Sequence, residues 1–191
     1  MKNIVHGISR AALALAACIA LGGTAFAQQK KGDMSIGANL LMGTNSGYTN
    51  FGIGAKAQYN ISTPVRVEAS WNYFFKKSLG DVNIGDFNMS TKVSTWDLNL
   101  NLHYLFPVAD WVAVYPLVGV GLFHGSISSG ASLGDYGLGG SDGCTELAGN
   151  LGAGAEYYLA ANMFVNLEAK WQIIHAWANR FVLSAGIVYV F

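Results

Sequence analysis

Residues 163–173 read Met-Phe-Val-Asn-Leu-Glu-Ala-Lys-Trp-Gln-Ile, and every second position changes character. Val165, Leu167, Ala169, Trp171 and Ile173 are apolar; Asn166, Glu168, Lys170 and Gln172 between them are polar or charged. A period of two places these sets on opposite faces of a β-strand. The rule recurs along the chain. Val65, Val67, Ala69, Trp71, Tyr73 and Phe75 oppose Arg66, Glu68, Ser70, Asn72 and Phe74; Trp96, Leu98, Leu100, Leu102 and Tyr104 oppose Asp97, Asn99, Asn101 and His103. Residues 51–60 alternate in the same way, and 34–43, 112–124, 145–158 and 180–191 do so less strictly. Eight strands are predicted: 34–43, 51–60, 64–75, 93–106, 112–124, 145–158, 163–173 and 180–191. The connections 61–63, 107–110, 159–162 and 174–179 are short. Those at 43–50, 76–90 and 125–144 are longer and rich in Gly, Ser, Asn and Asp, which predicts loops. Tight turns at one end and longer links at the other describe an up-and-down antiparallel meander.

The composition agrees with an unusual environment. Of 191 residues, 52% are hydrophobic and only 12% charged, with 11 basic against 11 acidic residues. A soluble domain carries roughly twice that charge, about 25%. Disorder is excluded by the high hydrophobicity, and a collagen-like helix by the lack of a G-X-Y period. Balanced charge supplies no basic field for nucleic acid. The most apolar run, WVAVYPLVGVGLF from Trp111, is shorter than the ~20 residues of a spanning helix and is interrupted by Pro116 and glycines.

Eight alternating strands suit either a soluble barrel, apolar inside, or a membrane barrel, apolar outside. Ions sit on the polar parity beside small residues, as a narrow filled interior requires. Aromatics cluster at strand ends on the apolar parity: Trp71, Tyr73, Tyr104, Trp111, Tyr157, Tyr189 and Phe191. Aromatic girdles mark outer-membrane barrels, and closure pairs every backbone group without water. The stretch Ser184-Ala185-Gly186-Ile187-Val188-Tyr189-Val190-Phe191 resembles the C-terminal signal recognised on insertion of bacterial outer-membrane proteins, with Ser184, Gly186, Tyr189 and Phe191 at the matching positions. As a pattern over residues 28–191 the chain resembles the small OmpX/OmpA-type outer-membrane barrels, also called porin-family or outer-membrane β-barrel domain proteins. That resemblance implies a well-defined fold but diverse roles: adhesion, envelope stability, defence against complement, lipid A modification.

Residues 1–27 read as an export signal. Lys2 and Arg10 precede the apolar run AALALAACIAL, and Ala25-Phe26-Ala27 is a small-x-small cleavage site, so the mature chain is expected from Gln28. A membrane anchor is disfavoured by the short run. Leu15-Ala16-Ala17-Cys18 also resembles a lipobox; a merely small Cys18 is the preferred reading. Cys144 is then the single cysteine, with no partner for an intramolecular disulfide, and is expected in a loop with its thiol unpaired.

Three groups of residues invite a functional reading. Lys56, Arg66, Glu68, Asp97, Glu156, Glu168 and Lys170 fall on the inward parity. Eight strands leave an interior only wide enough for side chains, so a salt-bridge network plugging the lumen is preferred to an ion path. His124-Gly125-Ser126 puts an imidazole and a hydroxyl side by side on the lipid-facing parity. This resembles outer-membrane lipid A deacylases, whose His activates a Ser on the outer wall. The carboxylate nearest in sequence, Glu146, falls on the inward parity, and Ile127 stands where that family has Asn. The third group is the links 76–90 and 125–144, long enough for a binding surface. Asp81, Asp86, Asp135 and Asp142 are too scattered there for a calcium site, and GLGGSDG lacks the context of a phosphate loop. His103, inward beside Asn101, reads as an interior histidine rather than a metal ligand.

The expectation is therefore an all-β, eight-stranded antiparallel up-and-down transmembrane β-barrel in the outer membrane of a Gram-negative bacterium. Residues 1–27 form a cleaved signal and 28–191 the barrel. Its role is structural or surface-interacting, with no catalytic residues, cofactor or metal. Outer-membrane lipid and lipopolysaccharide, the barrel-insertion machinery and an unidentified extracellular ligand are its expected partners; nucleic acid is not. The alternatives are a lipid A deacylase using His124, Ser126 and Glu146, or a narrow small-solute pore. Under the non-enzymatic reading Ser126→Ala leaves lipid A acylation unchanged; mass spectrometry of lipid A from expressing cells measures this.

Overall fold

The computed structural model describes residues 30–45, 48–84, 87–133, 136–176 and 178–191. The expected signal at 1–27, Cys18, Asp86 and Asp135 lie outside the described residues. Nine strand segments follow in chain order: β1 (Met34–Asn45), β2 (Tyr48–Asn60), β3 (Val65–Ile84), β4 (Phe87–Tyr104), β5 (Phe106–Ala109), β6 (Val112–Leu133), β7 (Tyr136–Ala160), β8 (Met163–Ile174) and β9 (Arg180–Val190). Every paired neighbour is antiparallel, β1 pairs with β9, and β4 and β6 pair to close the circle. Segment β5 continues the stave of β4 past Leu105, whose N–H turns to the carbonyl of Pro64 (2.7 Å). The result is a closed eight-stave barrel.

The alternation is realised inside out. Arg66, Asp97, His103 and Gln172 have no exposed surface, whereas Leu40 and Leu147 are 70% and 69% exposed. Water-free surroundings make the exposed apolar wall favourable and oblige the polar set to bond within the lumen. The outward aromatics form belts: Trp111 lies edge-on to Tyr157 (centroids 5.1 Å apart), and Tyr104 sits 4.8 Å from Phe106. Two apolar clusters cap the lumen toward the short turns, Ala113–Tyr158–Phe164–Val188 and Leu105–Tyr115–Leu117. Two more close it toward the hairpins, Leu41–Phe74–Val182 and Phe123–Ala148–Ile174.

The long links are not loops. The ladder of β3 and β4 continues to Ile84↔Phe87, that of β4 and β6 to Phe87↔Leu133, and that of β6 and β7 to Leu133↔Tyr136. These strands run 18 to 25 residues, about twice the 9–11 that cross hydrocarbon. Residues expected in loops therefore belong to a four-stranded sheet projecting from the barrel. Cys144 pairs with Gly125 and Asp142 with Ile127 inside that sheet, rather than sitting in a loop. Gly, Ser and Asn are poor strand formers alone, but a ladder already formed extends across them. Gly85-Asp86 and Gly134-Asp135 fall between the last pairs.

Crowding in the lumen explains a glycine. A Cβ on Gly154 would lie 2.4 Å from the ring of Tyr115, which reaches past it to Glu168 on β8. Gly154→Val is expected to destabilise the barrel by about 1–3 kcal/mol, the usual cost of overpacking, measured by denaturant unfolding in lipid vesicles.

Candidate functional site

The inward residues of all eight staves meet in one polar block between the apolar caps. Lys56, Arg66, Glu68, Asp97, Glu156, Glu168 and Lys170 are each 4% exposed or less. Of the four ion pairs described in the lumen, three join strands that are not neighbours in the sheet. Lys56 on β2 lies 2.9 Å from Glu68 on neighbouring β3 and 3.5 Å from Glu168 on β8. Register explains the first contact: Lys56 faces Ser70 and Gln58 faces Glu68, so lysine and carboxylate are diagonal neighbours. Arg66 on β3 forms its ion pair with Glu156 on β7, and Arg180 on β9 with Asp97 on β4.

Neutral donors complete these carboxylates. Glu68 also accepts from Gln58 (2.9 Å) and Asn101 (3.2 Å), Glu156 from Tyr158 (3.0 Å), Glu168 from Tyr115 (3.2 Å), and Asp97 from Asn72 (2.8 Å) and Asn99. Asn99 is a hub, its carbonyl accepting from Asn150 (2.9 Å) and Gln172 (3.0 Å). His103 stacks on Tyr115 with centroids 4.5 Å apart, and its Nδ1 lies 3.3 Å from Arg66. Lys170 is buried without a carboxylate within ion-pair distance among the described residues; Glu168, two positions away on its strand, is engaged by Lys56 and Tyr115.

Sequence reasoning missed Arg180. It heads its strand, with no preceding alternation to assign it a face. In the structure it is 6% exposed, donates to Gln172 (2.6 Å) and Thr95 (3.2 Å), and lies between the rings of Phe74 and Phe123, 4.2 and 4.9 Å from their centroids. With Arg180 included, four cations (Lys56, Arg66, Lys170, Arg180) face four anions (Glu68, Asp97, Glu156, Glu168) in the lumen among the described residues. Glu68, His103 and Glu168 also bring possible metal-ligand atoms within 4.8 Å of one another, but the ammonium of Lys56 already lies against both carboxylates.

His124 and Ser126 lie on the outer wall, as their parity implies. The His124 ring stacks on Trp96 (5.1 Å, 20°), and its Nδ1 is 2.9 Å from Thr145 Oγ1. Glu146 does not join them. It faces Phe123 in register, on the inward side, and lies 3.2 Å from His175. A carboxylate on one face of a sheet cannot orient an imidazole on the other, so the three residues are not assembled into a triad.

In the C-terminal strand Ser184 is buried in the lumen, while Tyr189 and Phe191 face outward. At Gly186 a Cβ would sit 2.0 Å from Asn39 Oδ1, so this position requires glycine for close approach.

Removing one partner of a buried pair leaves the other charge without compensation. Arg66→Met is expected to cost about 3–5 kcal/mol, and Arg66→Met with Glu156→Gln to recover a large part of it. Denaturant unfolding of the three proteins in vesicles measures both.

No curated protein matches this sequence. Solved structures show the same fold. Ail, the attachment invasion locus protein of Yersinia pestis, superimposes with a TM-score of 0.56 at 17% identity, covering 84% of this chain and 99% of that one. A major outer membrane protein of Thermus thermophilus gives 0.57 at 16%, covering 83% and 98%. Neisserial surface protein A gives 0.54 at 16%, covering 83% and 96%. The model of the outer membrane protein beta-barrel domain matches residues 11–191. A closed barrel with an apolar outer wall, aromatic belts and an ionic lumen thus has its family: the chain belongs to the outer membrane protein beta-barrel domain proteins and resides in the bacterial outer membrane.

Proposed function

We propose that the barrel is a closed, rigid mount and that the protein acts at the cell surface through the sheet formed by the distal parts of β3, β4, β6 and β7. One observation carries this reading: the ladders run on to Ile84↔Phe87, past two register shifts between β3 and β4, and to Leu133↔Tyr136, far beyond what crossing the membrane requires. Short turns face the periplasm and longer segments the exterior in barrels of this kind, which directs the sheet outward. A stiff sheet holds a binding surface at low entropic cost, because its backbone is ordered before any partner arrives. The same reading takes residues 1–27 as the export signal and the strand ending at Phe191 as the insertion signal. The host is then Gram-negative, and lipopolysaccharide, the insertion machinery and an extracellular ligand are the partners.

The pore and enzyme alternatives have less support. Four apolar clusters lie across the two ends of the lumen, and the ionic block between them is charge-balanced. An ion crossing it would displace buried pairs. For the enzyme, Glu146 bonds His175 on the inward side, and His124 Nδ1 is committed to Thr145.

Two measurements test the proposal. In planar bilayers the protein is expected to give no steady openings; large, stable conductance steps overturn the closed mount. Replacing 79–91 and 129–140 each by Asn-Gly shortens the sheet at matched register and should leave barrel stability in vesicles unchanged. Retention of expressing cells on surfaces coated with serum proteins should be lost. Full retention by the shortened protein overturns the surface-sheet reading.

A further inference from the structure

The outer wall where the sheet leaves the membrane is built in rungs across β4, β6 and β7. The lowest is Leu98–Leu122–Leu147, all strongly exposed and apolar. The next is Trp96–His124–Thr145, then Ser94–Ser126–Gly143, then Lys92–Ser128–Ser141. Paired residues share a face, so the side chains of these rungs point the same way as the lipid-facing leucines. Within one residue pair the wall passes from hydrocarbon to interfacial aromatic. It then becomes a terrace of hydroxyls with one ammonium, and β3 adds Ser78 beside Lys92. The rim on β1 and β2 is different: at Met42↔Phe51 it is still apolar.

His124 is held so that one nitrogen is free for something else. Trp96 covers a ring face and Thr145 takes Nδ1. The described residues offer Nε2 no partner. Beside it stands Gly143, whose Cβ, if present, would lie 3.1 Å from Nε2. The missing side chain leaves a notch between the imidazole and the hydroxyl of Ser126, which faces Gly143 across the ladder.

We infer that this terrace, His124, Ser94, Ser126, Ser128 and Lys92 around the Gly143 notch, binds the phosphorylated sugar headgroup of an outer-leaflet glycolipid. Location limits the occupant, because a face continuous with the lipid-facing wall and one rung above its last leucines overlooks the headgroup layer. The chemistry narrows it further. Many hydroxyls with a single lysine suit a sugar carrying a phosphate, the lysine giving a charge-assisted bond to phosphate and the serines bonding hydroxyls. A bare phosphodiester headgroup has few hydroxyl partners to offer. The inference rests on the outward orientation and the lipopolysaccharide partner of the surface reading but requires no protein ligand, so the lipid A titration and the cell-retention measurement fail separately.

The test uses the full barrel in phosphatidylcholine nanodiscs, titrated in separate arms with lipid A, phosphatidylglycerol and inorganic phosphate, and followed by backbone amide NMR. Lipid A is expected to shift the amides of residues 92–96 and 124–128 saturably and to leave Met42 and Phe51 unmoved. Lys92→Gln is expected to weaken this about tenfold, as loss of one charge-assisted bond does. Gly143→Val, which fills the notch without changing charge, should weaken it comparably while the unfolding midpoint in vesicles holds. Equal shifts around the whole rim, equal response to phosphatidylglycerol or inorganic phosphate, or undiminished binding by both variants would overturn the assignment.

Discussion

Hydrocarbon supplies no hydrogen-bond partners, so every N–H and C=O that crosses it must bond inside the protein. That constraint governs everything else in this molecule. A sheet meets it only by closing on itself, here by the pairing of β1 with β9 and of β4 with β6. Closure turns one face of each strand outward to lipid and commits the other to a lumen too narrow for bulk water. The apolar residues therefore lie outside, and the polar ones must solve their bonding among themselves.

They solve it by crossing the lumen. Lys56–Glu168, Arg66–Glu156 and Arg180–Asp97 join strands that are not neighbours in the sheet. Each pair braces the cylinder across its width. Asn and Gln side chains and the hydroxyls of Tyr115 and Tyr158 add further donors to Glu68, Glu156 and Glu168. Buried ion pairs add little net stability against well-packed apolar groups, but losing one partner is costly. The block is thus less a source of stability than a set of conditions that a misregistered barrel would fail to meet. A one-residue slip of any strand would carry its ions to the lipid face.

The barrel is largely legible in the sequence. Alternation over 51–60, 64–75 and 163–173 puts Lys56, Arg66, Glu68, Glu168 and Lys170 on one parity, and the structure buries all five, because a strand has only two faces and lipid leaves little room for compromise. Legibility ended where that pressure ended. Beyond Trp96 and His124 the chain turns to Gly, Ser, Asn and Asp without alternation, so 76–90 and 125–144 read as loops. Arg180 escaped for a related reason, standing at the first position of its strand. Phe74 and Phe123 are apolar residues on the inward parity, and they make sense only beside the guanidinium they enclose.

The sequence by itself determined which residues face lipid, how many staves the barrel has and that its lumen is ionic, since those follow from a two-residue period and from the cost of placing charge in hydrocarbon. The tertiary structure alone decided which ion meets which, that Arg180 turns into the lumen between Phe74 and Phe123, and that the hairpins continue as a single sheet. Those outcomes depend on register and closure, which join residues tens of positions apart and leave no trace in local pattern.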